Sequence, residues 1–254
     1  MSEQVIVLTG ANSGIGLGLA RALHAAGRRV ACLDLSGENL AGSWFLRCDV
    51  TDPSAVEAAI AEVVGASGRV DVLVNNACLA LFAPFEDRGV EQTRLELEVN
   101  YFGYVNLIKA VLPHMKARGR GVIHNVASTV GTTGFAGISG YASSKGAIEA
   151  LTRTLAIELA PQGIIVNLIH PPLTRTPSAA PLGVPQEFMA DPAVVGRRLA
   201  KKIGSHRDLI VPGPAEALGV LLARLMPGLM GRFLSARAAA AARTADPGRS
   251  SRTL

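Results

Sequence analysis

The chain has 254 residues, 49% hydrophobic and 4% aromatic, long enough for one sizeable α/β domain or two small ones. Its three cysteines, Cys32, Cys48 and Cys78, are odd in number and scattered, which argues against a disulfide framework and a zinc site. The net charge of +5 is uneven: residues 1–193 carry 14 basic and 17 acidic side chains, residues 194–254 carry 11 and 3, so the main body has no nucleic-acid signature.

Met1-Ser2-Glu3-Gln4 runs directly into an apolar segment without a basic region before it. The expectation is a cytoplasmic protein with no signal peptide. Gln4–Thr9 reads as a buried strand ended by Gly10, and a helix opens at Gly14 and stops at Gly27. Arg29–Asp34 and Trp44–Cys48 read as the next strands, with Cys32 and Cys48 as buried small hydrophobes. Asp52 and Pro53 are an N-cap and a first helical position. Then come a strand at Val70–Asn75, a long helix at Glu91–Arg118, a strand at Gly121–Ala127, a helix at Ser139–Leu159 and a strand at Gly163–Ile169. Apolar strands alternating with helices predict a Rossmann-type doubly wound parallel α/β sheet in a single domain, residues 1–213. Six prolines between Pro171 and Pro192 predict a loop over residues 171–206, placed to act on substrate. Residues 214–242 read as an apolar, basic helical extension broken at Pro227-Gly228, and the last ten residues as a disordered tail. Packing of that extension on the body or on another subunit is favoured over peripheral contact with an anionic membrane.

Gly10, Asn12, Ser13, Gly14, Ile15 and Gly16 link the first strand to the first helix. Glycines there let backbone amides approach a pyrophosphate at the positive end of the helix. Asp34 lies 18 positions after Gly16, at the end of the second strand. A carboxylate there accepts ribose hydroxyls and repels a 2′-phosphate, so NAD is expected over NADP. Ser13, where a basic residue would welcome that phosphate, agrees. Arg28 and Arg29 precede the strand and read as a solvated turn.

Tyr141 and Lys145 stand four positions apart, on one face of a predicted helix. Such a pair is common by chance, and most are surface neighbours. Here a fixed ammonium beside the phenol is expected to lower the tyrosine pKa from about 10 and make it an acid–base group. Ser128, thirteen residues earlier, is placed to bond the same substrate oxygen.

Together these motifs resemble the short-chain dehydrogenase/reductase family, single-domain group, over about residues 4–176. The resemblance implies hydride transfer between a nicotinamide and a carbon bearing a hydroxyl or carbonyl. It implies Asn100, Ser128, Tyr141 and Lys145 as catalytic residues, with Asn100 supporting a water that joins Lys145 to solvent. It implies cofactor contacts by Leu35, by Asp49 and Val50 at the adenine, by Asn76 and Ala77, by Tyr141 and Lys145 at the nicotinamide ribose, and by Pro171, Thr174 and Thr176. Cys78 and Pro172 replace two glycines of the family pattern, in loops that border the nicotinamide.

Leu79, Leu81, Phe82, Val130, Phe135, Pro172 and Leu173 predict an apolar pocket, hence a hydrophobic secondary alcohol or ketone as substrate. The alternatives are an NADPH-linked lipid or ketoacyl reductase and, from another class, a non-catalytic NAD-binding scaffold. The family often forms dimers or tetramers through its two long helices, here 91–118 and 139–159. The five histidines lack metal-ligand spacing, and no metal is expected.

Overall fold

The structure is a computed structural model that describes residues 4–245 except 41 and 183, with side-chain surroundings for all of these but 238 and 240–245. Seven parallel strands form one sheet: β1 (Val5–Thr9), β2 (Arg29–Asp34), β3 (Trp44–Arg47), β4 (Val72–Asn75), β5 (Gly121–Val126), β6 (Ile164–Ile169) and β7 (Leu209–Ile210). Their order is β3-β2-β1-β4-β5-β6-β7. The chain direction across the sheet reverses beside β1, so a crevice opens at the carboxyl ends of β1 and β4, where open α/β sheets bind ligands.

Helices cover both faces: α1 (Gly14–Ala25), α2 (Pro53–Ser67), α3 (Val90–Leu97), α4 (Gly103–Ala117), α5 (Val130–Thr133), α6 (Ser139–Leu159), α7 (Pro192–Ala200), α8 (Pro214–Leu225) and α9 (Pro227–Ala245). Strands buried on both sides explain the unbroken apolar runs. One core layer joins Val7, Leu73 and Ile123 to Ile60, Val63 and Val111; the other joins Ile6, Leu8 and Val74 to Leu19, Leu23 and Leu199. Cys32 and Cys48 are buried free thiols. Asp52 caps α2, its side chain accepting from the Ser54 N–H at 2.9 Å.

Two expectations are corrected. The single helix at 91–118 is α3 and α4 joined by a π turn at Glu98–Phe102, which widens the helix by one residue at Asn100. The 171–206 loop contains α7, and β7 follows it. Asp191 caps α7 by accepting from Ala193 and Val194, with Pro192 at the first helical position. The expected disordered tail is a separate matter, since residues 246–254 lie outside the described residues.

His124 on β5 is fully buried. Its Nε2 accepts from the Gly204 N–H at 2.8 Å, and its Nδ1 bonds Asn167 Oδ1, so the neutral ring is the fitted form. Burial pulls its pKa down to about 4, and burial does the same to His170. An unfolded histidine titrates near 6.5, so the unfolded state binds more protons between those values. Each histidine's contribution is complete above pH 6.5 and is lost as pH falls toward 4, about 3 kcal/mol at most. The urea midpoint is therefore expected to drop steeply from pH 7 to 4.5, and His124→Asn to flatten that slope while lowering stability at pH 7.

Candidate active site

The cofactor cradle is built where β1 meets α1. Thr9 Oγ1 accepts from the Asn76 and Ala77 N–H groups, each at 3.0 Å. Asn76 Nδ2 donates back to Thr9 O at 3.1 Å and Gly10 O at 3.0 Å. These bonds lash the end of β4 to the glycine turn. A methyl group on Gly16 would lie 1.9 Å from Gly10 O, so only glycine lets the helix start this close to the turn. Gly14 has φ +51°, a conformation that glycine adopts freely. No side chain caps α1, so its first-turn amides are free to meet an anion.

Asp34 closes the adenosine side. Its carboxylate accepts from Asn12 N–H and Leu35 N–H, both at 2.8 Å. Each oxygen keeps a further lone pair for a ribose hydroxyl. Asn12 holds the next loop by donating to Ser36 Oγ at 2.8 Å and accepting from Asn39 N–H at 2.8 Å. Arg28 and Arg29 are engaged elsewhere, Arg28 with Gln4 and Arg29 with Ala66 O and the Trp44 ring. Asp49 is exposed and accepts from Thr51, while buried Val50 packs on Gly103. At the far end Thr176 lies against Gly14, as a methyl on Gly14 would sit 2.8 Å from its Cγ2. Thr174 is buried and donates to Pro172 O at 2.8 Å, which assigns it to shaping the turn after Pro171. These features fit a dinucleotide.

The proton machinery lies between β5 and α6. Ser128 follows the end of β5, and its hydroxyl hydrogen-bonds Tyr141. Lys145, one turn on from Tyr141, is 1% exposed. Its Nζ donates to Val126 O at 2.8 Å and to Tyr104 OH at 3.3 Å, and lies 5.6 Å from the Tyr141 ring centre. Tyr104 OH in turn donates to Val126 O at 3.2 Å. Burial lowers the Lys145 pKa. Asn100 in the π turn is fully buried. Its Oδ1 accepts from Leu79 N–H at 2.7 Å, and its Nδ2 donates to Leu79 O at 2.8 Å and Ser144 Oγ at 3.0 Å. It therefore pins the loop after Cys78 to α6.

The expected lowering of the Tyr141 pKa is not found. Desolvation raises it, and the Cys78 thiol, within hydrogen-bond reach, raises it further; the Ser128 hydroxyl opposes them. The lysine beside the phenol gives up its own charge stabilisation to burial, so desolvation dominates. Cys78, which stands where the family pattern has a glycine, thus acts on the reacting group.

Sequence reasoning missed one structural pair. Arg88 and Glu96 form a buried ion pair at 2.6 Å, with side chains 2% and 0% exposed. Glu96 Oε1 accepts from Leu81 N–H at 2.8 Å, and Arg88 donates to Leu81 O. A methyl on Gly140 would lie 2.1 Å from Glu96 Oε2, so the pair is seated against the turn that carries Tyr141. The spacing of eight residues has no signal of its own, because the two meet only once the loop folds back. Of the expected pocket residues, Leu79, Leu81, Phe82, Val130, Phe135 and Pro172 are half-buried and Leu173 is exposed. Among the described residues no group of three His, Cys, Asp or Glu is placed to hold a metal.

The family model described as short chain dehydrogenase matches residues 4–186. The chain is 40% identical over 190 residues to the 2-(R)-hydroxypropyl-CoM dehydrogenase of Xanthobacter autotrophicus, covering 69% of this chain and 76% of that one. Among solved structures it is similar to a short-chain dehydrogenase from Streptomyces avermitilis, with a TM-score of 0.77 and 30% identity over 98% of this chain and 99% of that one. It is also similar to a 3-ketoacyl-(acyl-carrier-protein) reductase from Brucella melitensis complexed with NADH, with a TM-score of 0.72 and 27% identity over 82% and 94%.

Breaking a buried ion pair by removing one partner costs about 3–5 kcal/mol, since the other charge is left alone. Arg88→Leu is expected to lose about that much stability in urea titration. Arg88→Leu/Glu96→Leu is expected to recover a good part of it.

Proposed function

The chain belongs to the short-chain dehydrogenase family, and from that premise we propose that it interconverts a hydrophobic secondary alcohol and its ketone, with NAD as its nicotinamide cofactor. The observation that carries the proposal is the convergence of three groups: the Ser128 hydroxyl bonds Tyr141, and the Lys145 ammonium lies 5.6 Å from the Tyr141 ring centre. When bound, the cofactor supplies a hydride acceptor in oxidation and a hydride donor in reduction.

The residues do the proton work. Tyr141 takes the hydroxyl proton as the alcohol is oxidised, or gives it to the carbonyl oxygen as the ketone is reduced. Ser128 donates to the same substrate oxygen and holds it in line with the phenol. We assign Lys145 a hydrogen bond to the nicotinamide ribose, from its seat 5.6 Å from the Tyr141 ring centre. A phenol held above its ordinary pKa is a weaker acid but stays fully protonated through neutrality, so oxidation, which needs the base form, is the pH-sensitive direction.

Asp34 supports NAD over NADP, because its carboxylate faces the turn where a 2′-phosphate would sit. The half-buried apolar walls support a hydrophobic substrate. Exposed Leu95, Phe102 and Ile157 on the two long helices support association of copies through them. A scaffold without catalysis has no use for a buried lysine under a tyrosine in a cleft.

Tyr141→Phe is expected to lower kcat by about 1000-fold while NAD binding by fluorescence titration is retained. Unchanged kcat would remove Tyr141 from the mechanism. Alcohol oxidation is expected to rise about tenfold per pH unit through neutrality, with ketone reduction flat over the same range. A panel of hydrophobic alcohols with NAD and NADP tests the rest. Preference for small charged hydroxy acids, or for NADP, would refute the respective assignment.

A further inference from the structure

The α8–α9 extension packs on the body along one side only. Gly231 lies against Thr133 O, where an added methyl would sit 2.3 Å away, and Ser235 Oγ accepts from Ala136 N–H at 3.1 Å. On the other side, large apolar side chains face solvent. Leu218, Leu221 and Leu225 follow one stripe of α8, and Met226, Leu229 and Phe233 continue it past the bend; all are 43–68% exposed. Packing on the body therefore accounts for the glycine side of the elbow and leaves this stripe without a cover. Soluble monomers rarely leave such a contiguous patch open.

Beyond the first turn of α8 the charges on the elbow are of one sign. Residues 217–245 contain four arginines and no acidic residue. Arg232 and Arg237 are exposed beside the stripe, Arg237 lying over the Phe233 ring at 5.7 Å. The one acid at the start of α8, Glu216, already faces Arg198 at 3.8 Å.

The geometry also limits how a membrane is engaged. Neither helix is long and apolar enough to cross a bilayer, and the two are bent by 118°. The twelve residues of α8 reach about 18 Å, against about 30 Å of hydrocarbon. A helix that is apolar on one side and basic beside it lies in the interface plane.

We propose that the α8–α9 elbow docks on an anionic lipid surface, with Leu218, Leu221, Leu225, Leu229 and Phe233 entering the acyl boundary and Arg232 and Arg237 meeting the headgroups. Charge selects this occupant over a second copy of the chain. A two-fold contact sets a patch against itself, so arginines without compensating acids would face arginines. Acidic headgroups are the complement. The elbow rests on the Thr133–Ala136 segment that leads from Ser128 to α6, so docking brings the apolar cleft close to the surface from which hydrophobic molecules partition.

The experiment is co-sedimentation of the full chain with phosphatidylcholine vesicles, with and without 30% phosphatidylglycerol (about one lipid in three carrying charge). Binding is expected to the anionic vesicles only and to weaken with added salt. One basic residue near an anionic leaflet contributes about fivefold in affinity. Arg232→Glu/Arg237→Glu is therefore expected to lower binding by about 25-fold or more. Leu225→Ser/Leu229→Ser/Phe233→Ser is expected to abolish it, with NAD affinity and thermal midpoint unchanged to show that the body is folded. Absence of binding to either vesicle overturns the proposal. So does light scattering that shows the serine variant losing an oligomer which the native chain forms, since the stripe is then a subunit contact. Association that both variants retain belongs to the other helices and leaves the proposal standing.

Discussion

A buried ammonium group organises this molecule. Taking a charge out of water costs several kcal/mol unless oxygens replace the solvent. Lys145 meets that demand with Val126 O at the end of β5 and Tyr104 OH on α4, and Tyr104 is itself tied to Val126. Strand, helix and helix are thereby fixed around one atom. Tyr141 inherits its place from the same helix, Ser128 from the same strand end, and the crevice beside β1 lies alongside.

The electrostatics that result are a balance of opposed effects. Desolvation works against charge on the lysine and on the phenol alike. Cys78 and Glu96 add negative character around the tyrosine, and Ser128 offsets part of it. Glu96, the smallest of these influences, is itself held by Arg88 and seated against Gly140.

Much of this was legible in the sequence, and the reasons are local. Glycine at Gly10, Gly14 and Gly16 is demanded by positive φ or backbone contact. Asp34 is marked by its place at a strand end, and Tyr141 and Lys145 by helical spacing. β1, β4 and β5 announce themselves because every residue is buried, and β2 and β6 nearly so. What escaped depends on contacts distant in the chain. Arg88 and Glu96 meet through a returning loop. β7 is two residues long and carries no pattern. Helix α7 was hidden by the proline density around it, although Asp191 followed by Pro192 is a helix start in its own right. The raised tyrosine pKa follows from depth and from Cys78, and neither is visible in a spacing rule.

The π turn at Glu98–Phe102 has a consequence for how this site tolerates change. It is in effect one extra residue carried inside a helix, so every side chain after it is rotated by a fraction of a turn from the phase set by α3. Removing a single residue between positions 98 and 102 would let the ladder close into an ordinary helix and bring the two segments back into phase. Leu107 and Val111 would then leave the core, or Asn100 would swing away from Leu79 and Ser144. The placement of that asparagine is thus stored as a phase slip as well as in its contacts, and a length change there disturbs both at once.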